Sequence, residues 1–93
     1  MFFYTYILES LMDKKLYIGY THDLRKRIEE HKKGKSSPTK TRLPLMLIYY
    51  EACLNETDDK RRERYLKTTK GRRFLGLRLK EYGHLHKAFG SGG

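Results

Sequence analysis

The sequence predicts one small α/β domain of the α+β kind, built from three strands and three helices. Three observations lead there. Two short runs rich in Tyr, Phe and Ile, at residues 2–8 and 15–20, are joined by the short segment Glu9–Lys14. Leu24, Arg27, Ile28 and His31 follow the i, i+3, i+4, i+7 spacing of one helical face. Leu45–Tyr50 is apolar without alternation, as a strand covered on both faces should be.

The first two runs read as a β-hairpin. Pairing Tyr6 with Tyr17 brings Ile7 opposite Leu16 and Glu9 opposite Lys14, which sets unlike charges beside the turn. That register puts Tyr4, Tyr6, Tyr17 and Gly19 on one face, with Phe3, Thr5, Ile7, Leu16, Ile18 and Tyr20 on the other. Gly19 then lies opposite Tyr4 and leaves room for the backbone of a ligand. The first helix starts after a cap at Thr21 or Asp23 and stops near Gly34. Residues 34–44 hold both prolines and form an irregular basic loop. The run 45–50 is expected to be the central strand. Asn55, with Asp58 three residues on, opens a second helix over about 57–68, ending before Gly71. A third is expected from about Arg72 to Lys80, ended by Gly83. The domain therefore occupies residues 1–83. Residues 84–93 read as a flexible tail whose Gly90–Gly93 end resembles an expression scar, and His84 and His86 belong to that solvated tail.

Composition narrows the function. The chain has 93 residues, 21 Lys or Arg against 11 Asp or Glu, and a net charge of +10. Its apolar class is 38%, and stays so when the eight Gly are counted in place of the eight Tyr, against roughly 45–50% for an average domain. So small a core leaves no room for two lobes or a large cofactor. The charge calls for a polyanionic partner, nucleic acid ahead of a membrane. No run approaches the ~18 apolar residues of a membrane span, and the apolar N-terminus lacks the basic region and cleavage site of a leader. Cys53 is the sole cysteine, which rules out an internal disulfide and a Cys-based zinc site and points to the cytoplasm.

Several residues could carry chemistry. Arg27 and His31 share a face with Leu24 and Ile28 and so point toward the sheet, where Arg27 needs either an internal carboxylate or a phosphate. Between Lys60 and Lys80 stand ten basic residues and a single acid, Glu63. Glu63 can pair with Lys67 one turn on, or face inward beside Leu66, where one carboxylate suffices for hydrated Mg²⁺.

Taken together, these residues resemble the GIY-YIG nuclease family, in particular its small stand-alone, single-domain type. Tyr4-Thr5-Tyr6 stands at the first triplet and Tyr17-Ile18-Gly19 is an intact second one. Arg27 follows Tyr17 by ten residues, His31 follows Arg27 by four, and Glu63 begins a Glu-Arg-Tyr-Leu-Lys helix segment. The similarity covers about residues 3–80. It implies a three-stranded mixed sheet flanked by helices and divalent-metal-dependent cleavage of phosphodiester bonds, most often in DNA. By the same resemblance Glu63 binds the metal, Mg²⁺ or Mn²⁺, and Arg27 contacts the scissile phosphate. Tyr17 helps to deprotonate the attacking water, Tyr6 positions or shares that role, and His31 supports the site or competes as the base. The sequence departs from the family at Tyr4 and Thr5, and residues 71–83 contain none of the asparagine that many relatives carry, leaving Arg72 or Arg73 as substitutes. Two basic flanks are expected to hold the nucleic-acid backbone. One comprises Arg25, Lys26, Lys32, Lys33, Lys35, Lys40 and Arg42, the other Arg61, Arg64, Lys67, Lys70, Arg72 and Arg73. Such contacts position a substrate without reading its sequence, so specificity falls to DNA structure, a partner protein or a homodimer. The alternative is a non-catalytic DNA- or RNA-binding module on the same fold.

Overall fold

The structure, a computed structural model, describes residues 1–86, with side chains through residue 83. The expectations for Gly90–Gly93 and for the side chains of His84 and His86 lie outside these residues. Strands β1 (Phe3–Ser10) and β2 (Leu16–Thr21) form the expected hairpin. Helix α1 (Leu24–Lys32) follows, and then β3 (Leu45–Cys53), α2 (Glu56–Leu66), α3 (Thr69–Arg78) and α4 (Lys80–His86).

The three-stranded sheet flanked by helices is as expected, with two differences in its topology. Both pairings are antiparallel rather than mixed, and the order β2-β1-β3 makes β1 central in place of β3. Segment 22–44 takes the chain from Thr21, opposite Tyr4, to Leu45, opposite Ser10, so β3 can only run antiparallel to β1. Residues 5–10 of β1 are all buried, as a middle strand requires. The unbroken apolar run of β3 has another origin. The register steps from Ile7 opposite Tyr49 to Leu8 opposite Leu47, so Ile48 is the extra residue of a β-bulge. Ile48 and Tyr49 consequently pack on the same side, and Leu47 on the other.

The hairpin register differs as well. Tyr6 faces Gly19, Leu8 faces Tyr17 and Glu9 faces Leu16, two residues away from the expected pairing. A slip of two keeps every side chain on its face, so the face assignments stand. Glu9 is buried rather than paired with Lys14, and Tyr82 of α4 donates its hydroxyl proton to Glu9 Oε1.

Each face of the sheet has its own core. Tyr6, Leu8, Ile28 and Leu45 pack under α1, and Ile7, Leu16, Leu66 and Leu75 pack under α2 and α3. Leu66 and Leu75 are wholly buried, and each side chain of that kind stabilises by roughly 1.5–3 kcal/mol. Asp23 and Asn55 cap α1 and α2 through the backbone N–H groups of Lys26 and Asp58. Gly34 ends α1 at a φ of +75°, the left-handed conformation that glycine adopts without strain. Thr68 caps α3 and accepts from the N–H of Gly71, so Gly71 lies inside α3 instead of ending α2. In place of one third helix over about 72–80 there are two, α3 and α4, and Gly83, expected to end the third helix, lies within α4, whose run to His86 takes in the first residues of the expected tail.

Candidate active site

β1 directs the Tyr6 side chain toward the α1 face, directly opposite Gly19. A Cβ on Gly19 would stand 2.3 Å from the Tyr6 hydroxyl oxygen. The space that the missing side chain leaves is therefore filled by the Tyr6 phenol rather than held open for a ligand.

Helix α1 presents Arg27 and His31, one turn apart, to that phenol. Arg27 Nε donates to the Tyr6 oxygen at 3.3 Å, and Tyr6 Oη lies 3.0 Å from His31 Nε2. His31 Nδ1 is 2.7 Å from Thr39 Oγ1. The guanidinium also donates to Glu30 at 3.2 Å and to Ser36 Oγ at 3.1 Å. Arg27 thus has a carboxylate partner, Glu30 on its own helix, and its side chain remains 35% exposed.

Burial sets the protonation states. It raises the pKa of Tyr6, with Arg27 pulling the other way, so the phenol keeps its proton. Burial lowers the pKa of His31, and the neighbouring Arg27 charge lowers it further, so the imidazole is neutral at neutral pH. Burial also works against the Arg27 charge, but the hydrogen bonds with Tyr6 and Glu30 outweigh it.

Around the edge of β2 these groups meet the helices of the opposite face. A cleft of about 470 Å³ is lined by Tyr6, Tyr17, Arg27, His31 and Glu63, with Lys67 and Arg72. Every residue expected to do chemistry is there. Tyr17 forms part of its wall, and among the described residues no hydrogen bond reaches its hydroxyl. Glu63 is turned inward, 17% exposed, and also makes the one-turn ion pair with Lys67 at 2.5 Å.

Of the expected basic flanks, Lys67 and Arg72 line the cleft. Arg25 lines a second groove with Tyr4 and Tyr50. Arg42 is paired with Asp13 and Arg61 with Asp58. Lys26, Lys32, Lys33, Lys35, Lys40, Arg64, Lys70 and Arg73 are exposed.

Two site residues escaped the sequence reading. Ser36 and Thr39, buried at 3% and 1% exposure, come from the loop that reads only as basic and irregular. A periodicity marks the face of a helix, whereas nothing of the kind marks a loop hydroxyl that folds back on one.

Among the described residues no three His, Cys, Asp or Glu side chains cluster to hold a metal. A lone carboxylate in an open cleft does not make a cage for zinc. It does fit a hard ion such as Mg²⁺, which keeps most of its waters and takes further oxygens from phosphate.

An antiparallel sheet and its helices thus bring two tyrosines, an Arg/His pair and a helix-borne glutamate around one cleft. The profile of the GIY-YIG catalytic domain matches residues 2–75, and the chain belongs to that family. It is similar to the UPF0213 proteins of Streptococcus pyogenes serotype M3 (strain MGAS315) and serotype M1. Each is 53% identical over 49 residues, which are 52% of this chain and 52% of the relative. The similarity thus spans about half the length of the curated relatives that the chain matches. No solved structure matches it at a significant level. No helix among the described residues is long and apolar enough to cross a membrane.

Proposed function

We propose that the chain is a divalent-metal-dependent endonuclease that hydrolyses phosphodiester bonds, with DNA ahead of RNA as its substrate. The observation that carries this reading is the convergence of Tyr6, Tyr17, Arg27, His31 and Glu63 on one cleft. Hydrolysis needs an acceptor for the proton of a water, a cation for the charge growing on phosphorus, and stabilisation of the leaving oxygen.

Arg27 supplies the cation, because its planar fork matches two phosphate oxygens and its side chain is open to the cleft. His31 is the terminal base, since burial keeps it neutral. Tyr6 connects it to the cleft: its oxygen takes the proton of the water as its own proton moves to His31 Nε2, 3.0 Å away. Tyr17 orients the water from the wall. The family resemblance gives Tyr17 the leading part; the hydrogen bond to His31, which Tyr6 has and Tyr17 lacks, supports the exchange of roles. Glu63 is the residue to hold Mg²⁺ or Mn²⁺, which when bound supplies Lewis-acid stabilisation of the phosphate and the leaving oxygen. Lys67 and Arg72 hold the flanking backbone.

Backbone contacts carry no sequence information. Specificity therefore rests on DNA structure, a partner protein or a second copy of the chain, which suits work on irregular DNA in repair or recombination. A single cysteine suits the cytoplasm.

The test is cleavage of single-stranded, duplex, flapped and branched DNA and RNA with and without Mg²⁺ or Mn²⁺, beside Glu63→Ala. Metal-dependent cleavage by the wild type, lost in Glu63→Ala with binding largely retained, is expected. Identical, metal-independent behaviour of the two proteins would favour the non-catalytic binding module instead.

A further inference from the structure

We propose that Thr39 is a positioning residue that holds His31 in the Nδ1–H tautomer, leaving Nε2 as the acceptor for the Tyr6 proton. The inference rests on the nuclease reading, which needs Nε2 free to accept the Tyr6 proton, and its structural content is the chain of contacts from Tyr6 through His31 to Thr39.

An arginine Nε can only donate, so at 3.3 Å the Tyr6 oxygen is an acceptor toward Arg27. For the proton transfer proposed above, the one proton of Tyr6 needs a protein acceptor. His31 Nε2 at 3.0 Å provides it. A neutral imidazole carries a single N–H, so once Nε2 accepts, the hydrogen must sit on Nδ1. His31 is itself buried at 5% exposure, and that N–H needs an acceptor in turn. Thr39 Oγ1 stands 2.7 Å away.

The loop is built to keep this hydroxyl in place. Thr39 is 1% exposed, its N–H donates to Ser36 O at 3.1 Å, and its carbonyl accepts from Arg42 N at 2.9 Å. Ser36 in the same turn accepts from Arg27 Nη2. One short loop therefore orients both the base and the phosphate-binding cation. Without the Thr39 oxygen, the Nδ1–H tautomer would leave a buried donor unpaired, and the balance would move toward the Nε2–H form. In that form His31 cannot take the proton of Tyr6.

The experiment combines ¹⁵N spectra of the histidine rings with cleavage assays on wild type, Thr39→Val and Thr39→Ser. Valine keeps the shape and removes the hydroxyl; serine keeps the hydroxyl. Wild type and Thr39→Ser should show a protonated Nδ1 and an unprotonated Nε2 at His31, and Thr39→Val a measurable shift toward the Nε2–H form. Cleavage should fall at least about tenfold in Thr39→Val and recover in Thr39→Ser. A wild-type His31 protonated on Nε2 overturns the proposal even if the valine variant does not fold, and so does an unchanged tautomer in folded Thr39→Val. If the tautomers behave as expected but the wild type cleaves nothing, Thr39 keeps its structural role and the nuclease reading falls instead.

Discussion

Arg27 sits beside His31 and shares Tyr6 with it, and this proximity shapes the response of the site to pH. The imidazole must be neutral to accept a proton, and burial followed by the Arg27 charge lowers its pKa from the ordinary 6.5. kcat/KM should therefore rise with pH along an acid limb whose midpoint lies below 6.5, as a pH–rate profile of the free protein will show. Stability carries the same sign. The unfolded chain protonates His31 first, so the contribution of this group is complete above its unfolded pKa and lost as pH falls through the folded one. Urea denaturation at about pH 5 and pH 7 should find the domain less stable in acid, and less so in His31→Gln than in the wild type. At this scale the sequence was informative wherever a side chain was carried by a helix face or a strand alternation. Tyr6, Tyr17, Arg27, His31 and Glu63 all stand at such positions, whereas Ser36 and Thr39 act through a loop whose path only tertiary packing defines.

At the scale of elements, the close approach of α3 to α2 depends on one glycine. A Cβ on Gly71 would stand 2.0 Å from the backbone oxygen of Tyr65 and 2.5 Å from the Cα of Leu66. Backbone cannot move aside as a flexible side chain can, so Gly71→Ala should destabilise by about 1–3 kcal/mol or more. Gly76, five residues along in the same helix, meets nothing within 4 Å. Gly76→Ala should instead stabilise by roughly 0.5–1 kcal/mol through helix propensity. Denaturant titration of the two variants checks the contrast. The sequence showed Gly71 as a breaker, because a glycine required by packing and a glycine that ends a helix read alike. The caps at Asp23 and Asn55 were readable, since a cap is a local hydrogen bond. The hairpin register and the place of β3 were not. Both depend on pairing partners, and a bulge at Ile48 imitates the continuous pattern of a central strand.

Across the whole molecule, the +10 charge is divided between cations at work elsewhere and cations facing the cleft. Arg61 is paired with Asp58 on the surface, and Arg62 is clamped to Glu51 at 2.8 Å and 2.9 Å while stacking over Phe74. Arg72 lines the cleft. Binding to a DNA duplex should weaken linearly in log–log form as salt rises. Arg72→Ala should reduce that slope by about 1, as expected for the loss of one phosphate contact, and Arg61→Ala should change it less. Fluorescence anisotropy across a salt series measures both. The sequence could supply the total charge but not this division, which exists only once helices and sheet have met.

The cleft draws on both faces of the sheet, with Tyr6, Tyr17, Arg27 and His31 on the α1 side and Glu63 arriving from α2 around the edge of β2. A chain emerging from synthesis possesses the tyrosines, the arginine and the histidine long before the carboxylate can dock beside them. Under the nuclease reading the site is whole only while α2 stays docked beside the sheet, so loosening α2 alone would withdraw Glu63 from the cleft and leave Tyr6, Arg27 and His31 in contact.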